Sequence, residues 1–161
     1  MYKVGDVIVY KKDVCEIKDI KKNLFFDKDY YVMSPIDDTS LKIEIPVDSS
    51  YLRDVITPDE VQELICKIPS IEIIQVEDKD IEYEYRKLLG ENTLENLVKI
   101  IKTTYLRNQE RVRQKKRGGE KDEYYLQQAE RRLYNELSIS LNLSFDEAKQ
   151  YVIDSVIHLL T

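Results

Sequence analysis

The spacing of apolar and polar residues changes from a period of two to a helical period at Thr57. Before that residue, apolar and polar positions alternate most clearly in residues 41–47, whose sequence is LKIEIPV. Such alternation is typical of a strand with one buried side and one solvent-facing side. Turn residues separate five segments of this kind, at residues 3–10, 14–20, 28–36, 41–47 and 51–56. Short strands at this spacing predict a small, barrel-like antiparallel sheet over residues 1–56.

The fourth predicted strand, residues 41–47, contains a proline at position 46. Proline has no backbone N–H and cannot donate a hydrogen bond to a neighbouring strand. We therefore expect this strand to have at least one free edge. A free edge can accept a strand from another protein.

Five helices are predicted after Thr57, which makes residues 57–161 a helical bundle and places a domain boundary between residues 56 and 57. Thr57, Pro58 and Glu60 match an N-cap, a first-turn proline and a capping box, and Pro69 ends this first helix. The later helices are predicted from their apolar spacing and from start and stop signals, at residues 80–89, 92–117, 120–141 and from 144 onwards. The predicted fold class is therefore α+β.

The predicted helix over residues 92–117 is amphipathic and basic. Its apolar residues recur at spacings of three, four or seven, and they are Leu94, Leu97, Val98, Ile101, Tyr105 and Val112. We expect that stripe to be buried. From Lys99 to Arg117 there are eight basic residues and one acidic residue, a local charge of +7 in a chain of net charge −6. The basic side is either a solvated face or a contact for a polyanion, and the acidic remainder implies that any nucleic-acid contact is local and helped by a partner.

Sequence signatures of enzymes are not found. The single histidine, His158, lies in the last predicted helix, and no glycine-rich phosphate loop or nucleophile elbow occurs. Cys15 and Cys66 stand far apart and do not form a metal-ligand pair. No apolar run approaches the roughly 18–20 residues of a membrane span, and residues 1–13 have no signal-peptide core. We therefore expect a soluble cytoplasmic protein without enzymatic activity, cofactor or metal.

Several local strings, in their order along the chain, resemble the CarD-like family of bacterial transcription regulators. The matching strings are KVGDVIVY at 3–10, LKIEIPV at 41–47, LRDVI at 52–56, NQER at 108–111 and GEK at 119–121. The resemblance covers essentially the whole chain. It implies a Tudor-like or SH3-like barrel that pairs an edge strand with the β subunit of RNA polymerase. It further implies a helical domain that touches promoter DNA at the upstream edge of the melted bubble.

The resemblance, together with the basic charge at the end of the predicted helix 92–117, indicates candidate residues for the two contacts. The candidate polymerase-binding residues are Lys21, Lys22, Lys42, Glu44 and Arg53. Family members can carry arginine in the polymerase-binding strand where this chain has Glu44, which favours backbone pairing supported by the neighbouring lysines. The candidate DNA-binding residues are Ile81, Tyr83, Tyr85, Arg86, Lys115, Lys116 and Lys121.

One candidate role concerns a residue that this chain lacks. The family has a tryptophan at the start of its second helix that wedges into the minor groove, and this chain contains no tryptophan. Ile81 occupies the matching position, and Tyr83 is a nearby substitute. A helix start would point Ile81 outward for this role, whereas the alternative is that Ile81 and Tyr85, four residues apart, pack into the bundle.

The sequence thus favours a non-enzymatic regulator that binds RNA polymerase and stabilises the open promoter, associated with the nucleoid through the polymerase. The alternative from another class is a protein-only helical adaptor whose basic helix binds an acidic partner protein. A small-molecule enzyme is a more distant alternative. The sequence does not decide between activation and repression, and it does not fix the oligomeric state.

Overall fold

The computed structural model describes residues 1–160, which form an α+β fold with a five-stranded antiparallel sheet followed by five helices. The strands are β1 (Val7–Tyr10), β2 (Asp13–Phe25), β3 (Lys28–Pro35), β4 (Ile43–Pro46) and β5 (Leu52–Asp54). Their order across the sheet is β4-β3-β2-β1-β5. The sheet is open, with β4 and β5 as its end strands, so barrel closure is not confirmed.

The five strands occur in the predicted order, but their bounds differ from the prediction, and β4 and β5 are each three residues shorter than predicted. β1 begins only at Val7, because residues 3–6 form a turn in which Asp6 N–H donates to the Lys3 carbonyl over 3.0 Å and Gly5 has a φ of +93°. β2 continues five residues beyond the predicted end at residue 20. The chain reverses at Phe26 and Asp27, whose φ values of 52° and 56° suit a two-residue hairpin turn.

The helices are α1 (Pro58–Lys67), α2 (Ile81–Glu91), α3 (Leu94–Arg113), α4 (Glu120–Leu141) and α5 (Phe145–Leu160). The predicted capping box at Thr57 is confirmed, since Thr57 Oγ1 accepts from Glu60 N–H and Glu60 Oε1 accepts from Thr57 N–H. Ser144 and Glu147 make the same reciprocal pair at the start of α5. Among residues 1–160, no helix combines the length and apolarity that crossing a membrane requires.

Two predicted helix ends are wrong. α2 passes through Gly90 and stops at Asn92, whose φ of 54° places it in the left-handed region that asparagine tolerates. α3 ends at Arg113 and not at residue 117, because Lys115 has a φ of 58° and Lys116 N–H donates back to the Arg111 carbonyl over 2.8 Å. Lys115, Lys116 and Arg117 therefore lie in the loop between α3 and α4.

Apolar side chains form two clusters, one on the sheet and one among the helices. The sheet cluster consists of Ile8, Cys15, Ile17, Tyr31, Met33 and Ile45. The helical cluster is larger and includes Val61, Ile65, Tyr85, Leu97, Ile100, Ala129, Leu133 and Leu137. The division into domains at residue 57 stays a prediction, although the change from strand to helix falls there.

The predicted apolar stripe of α3 is buried only in its first half. Leu97 and Val98 are buried, but Tyr105 is 60% exposed and Val112 is 65% exposed. The inward side of α3 continues instead through Arg107 and Arg111, which bind a buried carboxylate of α4. With these arginines on the inward side, Tyr105 and Val112 in the second half of the helix face solvent.

Charged side chains of α4 join the helices to the sheet. Glu136, whose side chain is 2% exposed, accepts two hydrogen bonds of 2.7 Å from the Arg53 guanidinium and one of 3.0 Å from Ile56 N–H. Arg131 donates to Asp13 over 2.7 Å and to Asp37 over 2.6 Å. Burial alone would raise the pKa of Asp37, but the hydrogen bonds from Arg131 and from Asn135 outweigh it and hold that pKa below its ordinary value.

Candidate interaction surfaces

Strand β4 is a free edge of the sheet, as the sequence predicted. Its inner neighbour is β3, and Val47 N–H donates to the Asp29 carbonyl over 3.1 Å. Along an antiparallel strand the backbone groups point alternately to the two sides. Because the backbone N–H of Val47 points toward β3, the backbone groups of Glu44 and Pro46, at odd-numbered separations from it, point away from β3. An incoming strand would therefore meet the N–H and the carbonyl of Glu44, while Pro46 offers only its carbonyl.

Three of the predicted polymerase-binding residues lie together beside this edge. Glu44 accepts from Lys21 Nζ over 2.9 Å and lies 3.0 Å from Lys42 Nζ. These hydrogen bonds, from Lys21 first and then Lys42, lower the pKa of Glu44 below its ordinary value. Lys22 is close by but pairs with Asp29, 3.1 Å away. The cluster thus has one more positive than negative charge. It lies on one face of the sheet next to the β4 edge, because Lys21 of β2 reaches Glu44 of β4 across β3.

Arg53 does not belong to this cluster. It lies on β5, at the opposite end of the sheet, and its guanidinium is held by Glu136. The hydrogen bonds that Arg53 donates to that carboxylate raise the pKa of Arg53 above its ordinary value. The structure therefore places Arg53 as a link between the sheet and α4.

The expectation that Ile81 points outward from the start of α2 is wrong. Ile81 is 5% exposed and Tyr85 is fully buried, because positions 81, 85 and 88 form the inward side of the helix. The hydroxyl of Tyr85 donates to Asp122 Oδ1 over 2.8 Å, and burial first, then this hydrogen bond, raises the pKa of Tyr85. Tyr83, by contrast, is 69% exposed and is the residue of this helix with the exposure that a wedge requires.

The exposed cationic corner of the protein is the loop of Lys115, Lys116 and Arg117. All three side chains are exposed, and within residues 1–160 none of them has a carboxylate partner. Lys121 and Arg86 differ in this respect, since both bind Glu82, at 3.1 Å and 2.8 Å respectively. These two cations share one carboxylate, so together with Glu82 they keep one net positive charge, and neither is without a partner.

Much of the remaining basic charge of α3 is also used inside the molecule. Lys102 Nζ donates to the Ile68 carbonyl over 2.7 Å, next to the end of α1. Arg107 binds Asp78 over 2.8 Å, and Arg113 binds Glu110 over 2.8 Å. The predicted basic face is thus reduced mainly to the loop that follows the helix.

The sequence did not single out Asp122, although it organises this corner. Its carboxylate is 5% exposed and accepts from Arg107 Nε over 3.0 Å, from Arg111 Nη1 and from the Tyr85 hydroxyl. Gly119 allows the arrangement, because a Cβ at that position would lie 2.4 Å from Arg111 Nη1. The only sequence signal for this arrangement was the pair Gly118 and Gly119 before α4. Glycine there permits the close approach of the Arg111 side chain as well as the chain reversal.

The fold and these surfaces define an α+β protein with an open sheet edge at one end and an exposed cationic loop in its helical part. In comparisons of the sequence with models of known protein families and with curated proteins, nothing matches this chain.

Proposed function

We propose that this protein is a transcription regulator of the CarD-like type, which binds the β subunit of RNA polymerase and stabilises the open promoter complex. In this proposal the sheet is a Tudor-like module, and the helical part contacts DNA at the upstream edge of the melted region. The observation that carries the proposal is the open edge of β4, where the backbone groups of Glu44 face away from the sheet. Strand addition at such an edge provides affinity through main-chain hydrogen bonds, and side chains provide specificity.

The helical surface supports the DNA contact. Lys115, Lys116 and Arg117 offer uncompensated charge for phosphates, and Tyr83 offers an exposed aromatic ring. A loop of three cations binds DNA only weakly by itself, especially in a chain of net charge −6. The polymerase contact makes the DNA contact intramolecular, so two weak contacts on one assembly suffice.

The polymerase contact is tested by Glu44→Pro. We expect this substitution to weaken retention on purified polymerase roughly tenfold, since it removes one outward donor, worth about 1.4 kcal/mol when lost without replacement. Glu44→Gln is the matched control, because it keeps the N–H and removes only the charge beside Lys21 and Lys42. Affinity is measured by titrating labelled polymerase. Equal loss in both variants would assign the contact to the carboxylate and not to the backbone.

The DNA contact is tested by the salt dependence of binding to a polymerase–promoter complex. Lys115→Gln combined with Lys116→Gln is expected to reduce the slope of log K against log salt by up to about two, or about one per phosphate contact. Lys121→Gln is expected to change the slope less than either loop lysine does, because Lys121 is already bound to Glu82. Lys3→Gln serves as the control, because it removes one cation from the sheet part of the protein, away from the loop.

The same titration without DNA separates this function from that of an adaptor for an acidic protein. If the double substitution weakens binding to polymerase alone as much as to the promoter complex, the loop meets protein and not DNA.

A further inference from the structure

A cavity of about 500 Å³ lies where the β1–β2 turn meets the helices. Its lining includes Lys11 and Lys12 of that turn, Tyr51 from the segment before β5, and Arg132 of α4. The volume is within the range of small-ligand sites, which is about 300–1,000 Å³. Both parts of the molecule contribute side chains to it.

Three cations line this cavity without a carboxylate partner among residues 1–160. No ion pair joins Lys11 or Lys12 to an acid, and Arg132 Nη1 donates only to neutral oxygens, at 3.0 Å to the Leu89 carbonyl and at 2.9 Å to Asn92 Oδ1. Asp13, the acidic residue in the lining, is bound by Arg131. The cavity is therefore electropositive in a chain whose net charge is −6.

Arg132 is held in an unfavourable environment for a cation. Its Nε is buried and has no hydrogen-bond acceptor within the described chain. Burial first, and then the charge of Arg131, lower the pKa of Arg132. An anion in the cavity would compensate this charge, which is the condition under which buried cations are stable.

The turn that carries the two lysines is fixed in place. Lys11 has a φ of 52°, a region that a lysine seldom adopts, and its N–H donates to the Tyr51 carbonyl over 3.3 Å. Its carbonyl accepts from Asn92 Nδ2 over 2.7 Å, and Asn92 also binds Arg132. Asn92 thus links the turn of Lys11 and Lys12 to Arg132.

Two tyrosine rings stand next to these cations. The ammonium of Lys11 lies 5.3 Å from the ring centroid of Tyr10 and 4.7 Å from that of Tyr51. Tyr51 remains 61% exposed, so its ring is accessible to a planar ligand group. Clustered cations beside an exposed aromatic ring suit a ligand with phosphates and a planar base.

We propose that this cavity binds a free nucleoside polyphosphate, with its phosphates at Lys11, Lys12 and Arg132 and its base against Tyr51. Such a ligand would touch both the sheet and the helices and would stabilise their arrangement. The site is separate from the β4 edge and from the loop of Lys115–Arg117, so it does not depend on the polymerase contact.

The test is equilibrium binding of ATP and GTP to the full chain by calorimetry, at low salt and without polymerase or DNA. We expect saturable binding of at least one of them, with a Kd on the order of 10–100 µM. Lys12→Gln should weaken it roughly tenfold, since one charge-assisted bond is lost. Lys12 is exposed and has no partner to lose, so the variant should keep the wild-type melting temperature. Lys28→Gln, at the start of β3 and outside the lining of the cavity, should leave binding unchanged.

Three further results decide the ligand class. Tyr51→Ala should weaken nucleotide binding but leave binding of inorganic triphosphate unaltered. Triphosphate binding as tight as that of the nucleotides would overturn the assignment of a base to Tyr51. Tighter binding of a single-stranded oligonucleotide than of either nucleotide would reassign the cavity to a nucleic-acid interface. No saturation by about 1 mM ligand, or an equal loss in Lys28→Gln, would overturn the site itself.

Discussion

Replacement of Arg53 by methionine is expected to lower the free energy of unfolding by about 3 kcal/mol, the lower end of the range for removing one partner of a buried ion pair, because Glu136 is buried while Arg53 is partly exposed. Glu136 is 2% exposed and receives both of its strongest hydrogen bonds from Arg53. Without the guanidinium, the carboxylate keeps only the donor at Ile56 N–H. Chemical denaturation at neutral pH measures the change.

Lys67→Met is the matched control, since it removes a cation from an ion pair whose side chains are 59% and 56% exposed. Exposed pairs contribute only about 0–1 kcal/mol, so this variant should be close to the wild type. The double variant Arg53→Met with Glu136→Gln should recover part of the loss, because no unpaired charge is then buried. A small loss in Arg53→Met, equal to that of Lys67→Met, would mean that Arg53 is free for a partner, as the sequence had suggested.

Replacement of Asp122 by alanine is expected to destabilise the helical part by about 3–5 kcal/mol. The substitution leaves the guanidinium groups of Arg107 and Arg111 without their shared carboxylate and the buried hydroxyl of Tyr85 without an acceptor. A buried donor left unsatisfied adds about 1–3 kcal/mol, which falls within this total. Thermal unfolding followed by circular dichroism measures the loss.

Asp122→Asn separates the contribution of the two arginine ion pairs from that of the Tyr85 hydrogen bond. An asparagine can still accept from Tyr85, but it lacks the charge that binds the two arginines, so its loss should be intermediate. Glu110→Gln is the control, because it removes a carboxylate that binds Arg113 at the surface. If Asp122→Ala were as stable as the wild type, the Asp122 carboxylate would not be what holds Arg107, Arg111 and Tyr85 together.

The parts of the fold that could be predicted from the sequence are those set by neighbouring residues. Thr57 and Ser144 cap helices through side chains three positions away, so their sequence signals are complete in themselves. The alternation in residues 41–47, together with Pro46, likewise predicted an edge strand. Local chemistry was sufficient in each case.

The remainder depended on contacts that are distant in sequence. The end of α2 lies at Asn92 and not at Gly90, and the Asn92 side chain binds both the β1–β2 turn and α4. Arg53 and Ile81 were placed at interfaces, yet the first meets Glu136, 83 positions away, and the second is covered by the bundle. Hydrophobic spacing gave no signal for Arg53, because a charged partner decides its burial. For Ile81 the spacing of four to Tyr85 had offered burial in the bundle as the alternative, and that alternative is the one observed.

The proposed function requires that this protein stabilise open promoter complexes by contacting polymerase and DNA together. The most direct measurement is the lifetime of open complexes formed by purified RNA polymerase after addition of a competitor, with and without the protein. We expect the wild type to lengthen that lifetime, and Tyr83→Ala to lose most of the effect while remaining bound to polymerase. Tyr124→Ala, which removes a comparably exposed ring from α4, should behave as the wild type. An unchanged lifetime with saturating wild-type protein would contradict the account.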